Sequence, residues 1–408
     1  MIYDFIIIGA GIAGLYAAYN IKKKYPNKTF IILEANKKKY IGGRVHEEVF
    51  DEHLVTTGSG VGRDKKDKYL KLLLEELNIK YNKFSKDPEY SFEHVNLIKL
   101  FKELKNKFIT LNKPRITFKE FALPILGPEI YKNFLRTSGY TDYENDDAEH
   151  VLYMYGFEDN GPNWVAFSVP WSELIDKLIK NIGLENIKTN TKVVKINNNN
   201  NIIVYTKGTI EDPNITSFDE KTIVNDKNNE YECKKLIIAT TIISLRKLLK
   251  MPIYNNIEYQ SFIRIYGIVD KKSIPVMKDK VNGTLVVNNE LHKIISYDAD
   301  KGLYMIGYSD NKDAIKLNKH IKNKEYFEIL IKEALNIDYV KLKKIIAFFR
   351  KIGTHYYKPL PDNYTSREEF IKKAQNPTKN IFVIGEVVSE NQGWVNSALG
   401  TFHKIKLF

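Results

Sequence analysis

The chain has 408 residues, a formal net charge of +13, 43% hydrophobic residues and a single cysteine, Cys233. That length suits more than one hydrophobic core, while one thiol excludes an intrachain disulfide and a four-thiolate metal site, so no metal is expected. The excess charge comes from lysines scattered along the chain, with Arg scarce and no basic cluster interleaved with aromatics, which disfavours a nucleic-acid reader or an anionic-surface binder.

Residues Tyr3 to Ile8 read as a strand covered on both faces, and Gly9-Ala10-Gly11-Ile12-Ala13-Gly14 follows without a spacer. In such a Gly-x-Gly-x-x-Gly turn the first glycine permits the bend and the second admits a pyrophosphate to the helix N-terminus. The third lets helix and strand pack closely. Leu15, Ala17, Ala18 and Ile21 continue a helix, and the next apolar run, Phe30 to Leu33, ends on Glu34, where a ribose hydroxyl needs an acceptor. Strand, turn, helix, second strand and acid in that order predict a dinucleotide site built from Gly9, Gly11, Ile12, Ala13, Gly14, Glu34 and Ala35. This opening also lacks the charged region and cleavage site of a secretory signal, and no apolar run approaches the ~18 residues of a membrane span, so a soluble intracellular protein is expected.

Further along, Gly58-Ser59-Gly60-Val61-Gly62-Arg63 is a second glycine-rich turn. Arg63 is read either as a neutraliser of a phosphate or carboxylate or as a solvent-facing residue, and Asp64 as the cap of a helix carrying Tyr69 to Leu77. Helices are expected over His94 to Leu111, Phe118 to Leu126 and Glu129 to Arg136. The acidic run Asp142, Glu144, Asp146, Asp147 and Glu149 is either a collar that attracts an amine or a solvated loop. Pro170 opens a helix through Ile179, and Ile187 to Ile196 alternates as a strand. Asn197 to Asn201 reads as a turn, and Lys207 to Asn229 as a hairpin tip or disordered insertion. Cys233 to Ala239 is a strand ending at Thr240. Between Asn256 and Ala374, alternating runs predict an antiparallel sheet, with a helix over Glu325 to Leu335 and a strand over Lys344 to Phe349. A buried strand, Ile381 to Ile384, leads into Gly385-Glu386, followed by Gln392-Gly393-Trp394-Val395-Asn396-Ser397-Ala398.

The opening glycine turn with Glu34, the later Gly42-Gly43-Arg44 and the closing Gly-Glu and Gly-Trp segments together resemble the flavin-dependent amine oxidase family, which includes monoamine, polyamine and L-amino-acid oxidases. The Lys/Asn-rich composition is similar to amine oxidases of large DNA viruses, in which case a virion location is an alternative. The resemblance implies an α/β fold. A discontinuous, glutathione-reductase-type Rossmann-like FAD domain (residues 1–83, 165–255 and 375–408) would enclose a substrate domain of helices (84–164) and an antiparallel sheet flanked by helices (256–374). It implies non-covalent FAD, with Gly42, Gly43, Arg44, Gly58, Ser59, Gly60, Arg63, Val193, Thr240, Gly385, Glu386, Trp394, Val395 and Ala398 added to the cofactor contacts. Val193 would face the adenine and Glu386 the ribityl chain.

The reaction implied is oxidation of an amine or amino acid to an imine by hydride transfer to flavin N5, with O2 reduced to hydrogen peroxide. Trp394 and His355, or Tyr356, would form the aromatic slot for the amine. Two departures stand out. The usual Asp before Gly58 is absent, and Arg264 stands where relatives place a lysine near N5. Arg264 would hold a water, go with another electron acceptor, or bind a substrate carboxylate. The alternatives are a desaturase or protoporphyrinogen-oxidase-like enzyme and a flavin-bearing protein without turnover.

Overall fold

The computed structural model describes residues 1–85, 87–157, 164–198, 201–210, 222–223 and 229–407. Strand Ile2–Ile8 lies at the centre of its larger sheet, parallel to Phe30–Leu33 on one side and to Asn229–Ile238 on the other. Its continuous apolar run has a direct cause. Phe5 and Ile7 pack into one core with Ile32, Leu174 and Phe382, while Ile6 and Ile8 pack into another with Ile31, Leu236 and Val383. With both faces buried, period-two alternation has no polar phase.

The sheet draws on distant parts of the chain. In spatial order it runs Thr191–Asn198, Ile202–Ile210, Asn229–Ile238, Ile2–Ile8, Phe30–Leu33 and Ile187–Lys188, and Ile381–Val383 pairs with the end of Asn229–Ile238. Helix Ile12–Lys24 covers one face and packs against helices Trp171–Ile182 and Val395–Phe402. The close approach depends on Gly14, where a Cβ would lie 2.0 Å from the Gly9 carbonyl oxygen.

A second sheet runs Leu342–Tyr357, Ile257–Val269, Leu303–Asp310, Lys293–Asp298, Thr284–Val286 and Glu89–Tyr90 in spatial order. It is antiparallel except for the last pair. Helix Lys324–Leu335 packs on it, burying Phe327 and Ile331 with Ile263, Ile306 and Leu342. A helical lobe, Leu97–Thr110, Phe118–Leu126 and Pro128–Ser138, encloses Phe108, Phe118, Phe134 and Tyr143.

Several expectations need correction. Helix Lys68–Glu76 starts after Asp67, not Asp64, and Asp64 instead pairs with Lys83 at 2.9 Å. The helix expected from His94 begins at Leu97, where the Asn96 side chain accepts a hydrogen bond from Lys99 N. The acidic run is not a solvated loop. Asp147 caps an unanticipated helix, Ala148–Met154, and pairs with half-buried Arg367 at 3.0 Å, while Asp146 meets His150 at 2.8 Å, with Asp146, Asp147 and His150 buried. The strand expected over Lys344 to Phe349 runs on to Tyr357. Of the Lys207 to Asn229 stretch, Ile202–Ile210 pairs with Thr222–Ile223, and residues 211–221 and 224–228 lie outside the described residues.

Gly14→Ala is expected to push the helix off the strand at a cost of about 1–3 kcal/mol. A denaturant midpoint unchanged from the parent would contradict this packing account.

Candidate active site

One cavity of about 450 Å3 runs from the dinucleotide turn to the second sheet. At one end Gly9, Gly11, Ile12 and Ala13 face it, with Gly11 preceding helix Ile12–Lys24. That helix has no side-chain cap and no acidic residue in its first turn, so its positive end is open to the cavity. Gly14 is not on the cavity wall and serves the packing described above. Glu34 and Ala35 line the same end, where Glu34 accepts from Ala10 N at 2.7 Å and Asn36 N at 2.7 Å. Val193 and Thr240 lie beside them.

In the middle, Gly42, Gly43, Arg44, Gly58, Ser59 and Gly60 form one wall and Gly385, Glu386, Trp394, Val395 and Ala398 another. Glu386 joins these walls. It accepts from Arg44 Nη1 at 2.9 Å, His355 N at 2.9 Å and Gly393 N at 2.8 Å, and from the His355 ring. Burial alone would raise the Glu386 carboxyl, but its contacts with His355 and Arg44 outweigh that and hold it well below the usual carboxylate range. Ile242 N donates to His355 Nε2 at 3.1 Å, and His355 Nδ1 faces Glu386, so both ring nitrogens are engaged within the protein.

At the far end Arg264, Phe262, Tyr308, Tyr140, Asp142 and Asp310 surround a chamber. Arg264 is 3% exposed, donates from Nη1 to Thr56 and lies against the Tyr308 ring with its guanidinium carbon 4.6 Å from the centroid. Asp310 is engaged by Thr141, from N at 3.1 Å and Oγ1 at 2.6 Å. Buried Lys293 rests 3.3 Å from the Tyr140 ring centroid, and burial pulls its ammonium down to about 7 against the raising effect of Asp310 and Asp142. Burial, and next the charge of Asp310, pushes the Asp142 carboxyl up to about 8. Among the described residues, buried polar atoms on this cavity's wall that lack a partner include Asn36 Oδ1, Trp164 Nε1, Arg264 Nε and Gln392 Oε1. Such orphans mark a wall shaped for a polar ligand.

The family model described as an NAD(P)-binding Rossmann-like domain matches residues 7–77. Cyclohexylamine oxidase from Brevibacterium oxydans superposes with a TM-score of 0.74 at 14% identity, covering 99% of this chain and 98% of that one. A putrescine oxidase triple mutant redesigned for cofactor binding gives a TM-score of 0.73 at 14% identity over 98% and 97% of the two chains. The chain has an amine-oxidase fold. An uncharacterized protein of Acanthamoeba polyphaga mimivirus is 20% identical over 483 residues, covering 98% of this chain and 92% of that protein.

Within the amine-oxidase fold three sequence expectations change. His355 is 3% exposed, lies off the cavity wall and has both ring nitrogens engaged within the protein. Strand alternation explains this, because Arg350 and Thr354 face the cavity and residue 355 points the other way. Tyr356 pairs in register with Glu258 and does not line the cavity. Arg63 is not solvent-facing. It is 2% exposed, pairs with Asp67 at 2.8 Å and lies 3.7 Å from the Trp394 ring centroid, so it supports that ring from behind. Tyr140, Asp142, Tyr155, Trp164, Phe262, Tyr308 and Asp310 were not expected in the wall. A signal existed for two of them: Phe262 shares a strand face with Arg264, and Tyr308 is its register partner. No helix among the described residues is long and apolar enough to cross a membrane.

A carboxyl raised by burial keeps its proton in the folded state after the unfolded chain has lost it. Its contribution to stability is therefore full below about pH 4 and is lost as pH climbs through the folded-state value. Asp142→Asn removes this dependence, so its melting temperature relative to the parent should rise progressively from about pH 5 to about pH 8. A constant difference across that range, by calorimetry, would contradict the raised, proton-retaining carboxyl of Asp142.

Proposed function

We propose that the chain is an FAD-dependent oxidoreductase that oxidises the carbon next to the nitrogen of an amine or amino acid. The observation that carries this reading is the continuity of one cavity from the Gly11 turn and Glu34 to a chamber walled by Trp394, Tyr308 and Arg264. The residues present fit an elongated dinucleotide with an aromatic head: an uncapped helix end, an acid at the ribose position and orphaned polar atoms along the wall.

In this reading the amides at Gly11 to Ala13 bind the pyrophosphate, Glu34 the adenosine ribose, and Val193 lies by the adenine. Bound FAD supplies a two-electron acceptor that takes hydride from the substrate carbon. Helix Val395–Phe402 directs its N-terminal N–H groups toward the cavity wall at Val395, where they would favour negative charge on the cofactor by about 0.3–2 kcal/mol. Trp394, held by Arg63, orients the substrate, and the aromatic chamber excludes bulk water. The amine loses a hydride and a proton to become an imine, water converts the imine to a carbonyl and ammonia, and O2 takes the two electrons to give hydrogen peroxide.

Purified protein is expected to be yellow, to release flavin on acid precipitation, and to be bleached anaerobically by at least one member of an amine and amino-acid panel. Flavin that is bound but reduced by none of them would favour a flavoprotein without turnover, the reading prompted by Arg264 at the lysine position. Glu34→Ala should weaken FAD binding about tenfold or more, since it removes a charge-assisted acceptor. Unchanged affinity in an equilibrium titration would remove Glu34 from the cofactor contacts.

A further inference from the structure

We infer that the substrate of this site carries a carboxylate, making it an amino acid, and that Arg264 is the residue that binds that group. The inference rests on the oxidoreductase reading above and assigns its substrate class.

Arg264 is 97% buried by its 3% exposure, stands on the chamber wall and has no carboxylate within ion-pair distance among the described residues. Its protein contacts are a hydroxyl, Thr56 Oγ1, and the face and hydroxyl of Tyr308, while Nε has no partner. A guanidinium does not lose its proton in a protein, so this charge cannot be relieved by titration. Buried charges are paired or they cost several kcal/mol, so an arginine in this state is short of an anion.

The nearest acidic groups do not serve. Asp310 is committed to the Thr141 amide and hydroxyl, and Asp142 accepts from Tyr155 while burial favours its neutral form. Both line the cavity, yet neither is within ion-pair distance of the guanidinium. Glycine at residue 60 lets the backbone pass close beside the guanidinium, since a Cβ there would lie 3.1 Å from Arg264 Nη2, and so holds the side chain on the chamber wall. A planar guanidinium is matched to a carboxylate, which it can bind through two parallel N–H donors. An amine without an acid group would leave the charge unpaired and would itself be repelled when protonated.

The test uses the full-length flavin-loaded protein. Benzoate, as a carboxylate probe, is titrated calorimetrically against the parent, Arg264→Gln and Arg264→Lys, each first checked for flavin content and melting temperature. The same proteins are mixed anaerobically with matched pairs that differ only by the carboxylate, such as L-phenylalanine with 2-phenylethylamine and L-ornithine with putrescine. The expected result is benzoate binding that weakens about 100-fold in Arg264→Gln and less in Arg264→Lys, as loss of a charged hydrogen-bond pair implies. Bleaching should be confined to, or much faster with, the acid of a pair.

Benzoate binding equally well to Arg264→Gln, or not binding the parent, would overturn the assignment. Amines bleaching the flavin as fast as their amino acids would also overturn it, while leaving the oxidoreductase reading intact. Should Arg264→Gln fail to fold, Arg264→Lys and the matched pairs on the parent decide the matter alone.

Discussion

The buried carboxylate of Glu386 is the contact on which the rest of the site depends. It draws together Arg44 from the turn after the second strand, the backbone and ring of His355 from the longest strand of the second sheet, and the Gly393 amide just before the closing helix. These three segments supply the Gly43, Thr354 and Trp394 stretches of the cavity wall. A carboxylate removed from water is tolerated only when its oxygens are taken up by donors, and here the donors come from three different regions. Removing the carboxylate would leave the buried His355 donors without their acceptor and Arg44 with only the Gly353 carbonyl, and let the wall separate.

That same hub explains why His355 does not reach the cavity. An imidazole caught between the Ile242 amide and Glu386 is a structural strut, and the chamber is walled instead by Tyr308, Tyr140 and Phe262. The electrostatics of the chamber follow from its burial: Asp142 is driven toward its neutral form, Lys293 is pulled down, and the Arg264 guanidinium keeps its charge.

The parts of the fold that could be read from the chain are those whose pattern is local. Phe5 to Ile8 and Phe30 to Leu33 need only their own side chains to announce a doubly covered strand, and the glycine turn needs only its spacing. What escaped reading depends on partners far along the chain. The acids at 146 and 147 look solvated until His150 and Arg367 are brought beside them, and Arg63 looks exposed until Trp394 and Asp67 cover it. Helix Ala148–Met154 was hidden by its charges, which cap and pair it within the protein. The facing of residue 355 needed the full length of strand Leu342–Tyr357, of which only the first part has an unambiguous apolar pattern. The Gly60 and Arg264 pairing is likewise a matter of space shared by two distant residues.

The most direct measurement is an equilibrium titration of flavin-free protein with FAD, followed by quenching of flavin fluorescence, with NAD offered as competitor. A cavity joining the Gly11 turn to the Glu386 hub predicts uptake of one FAD per chain that NAD does not displace, and marked weakening in Glu386→Ala. Protein that takes up no FAD, or that binds NAD in its place, would contradict the account.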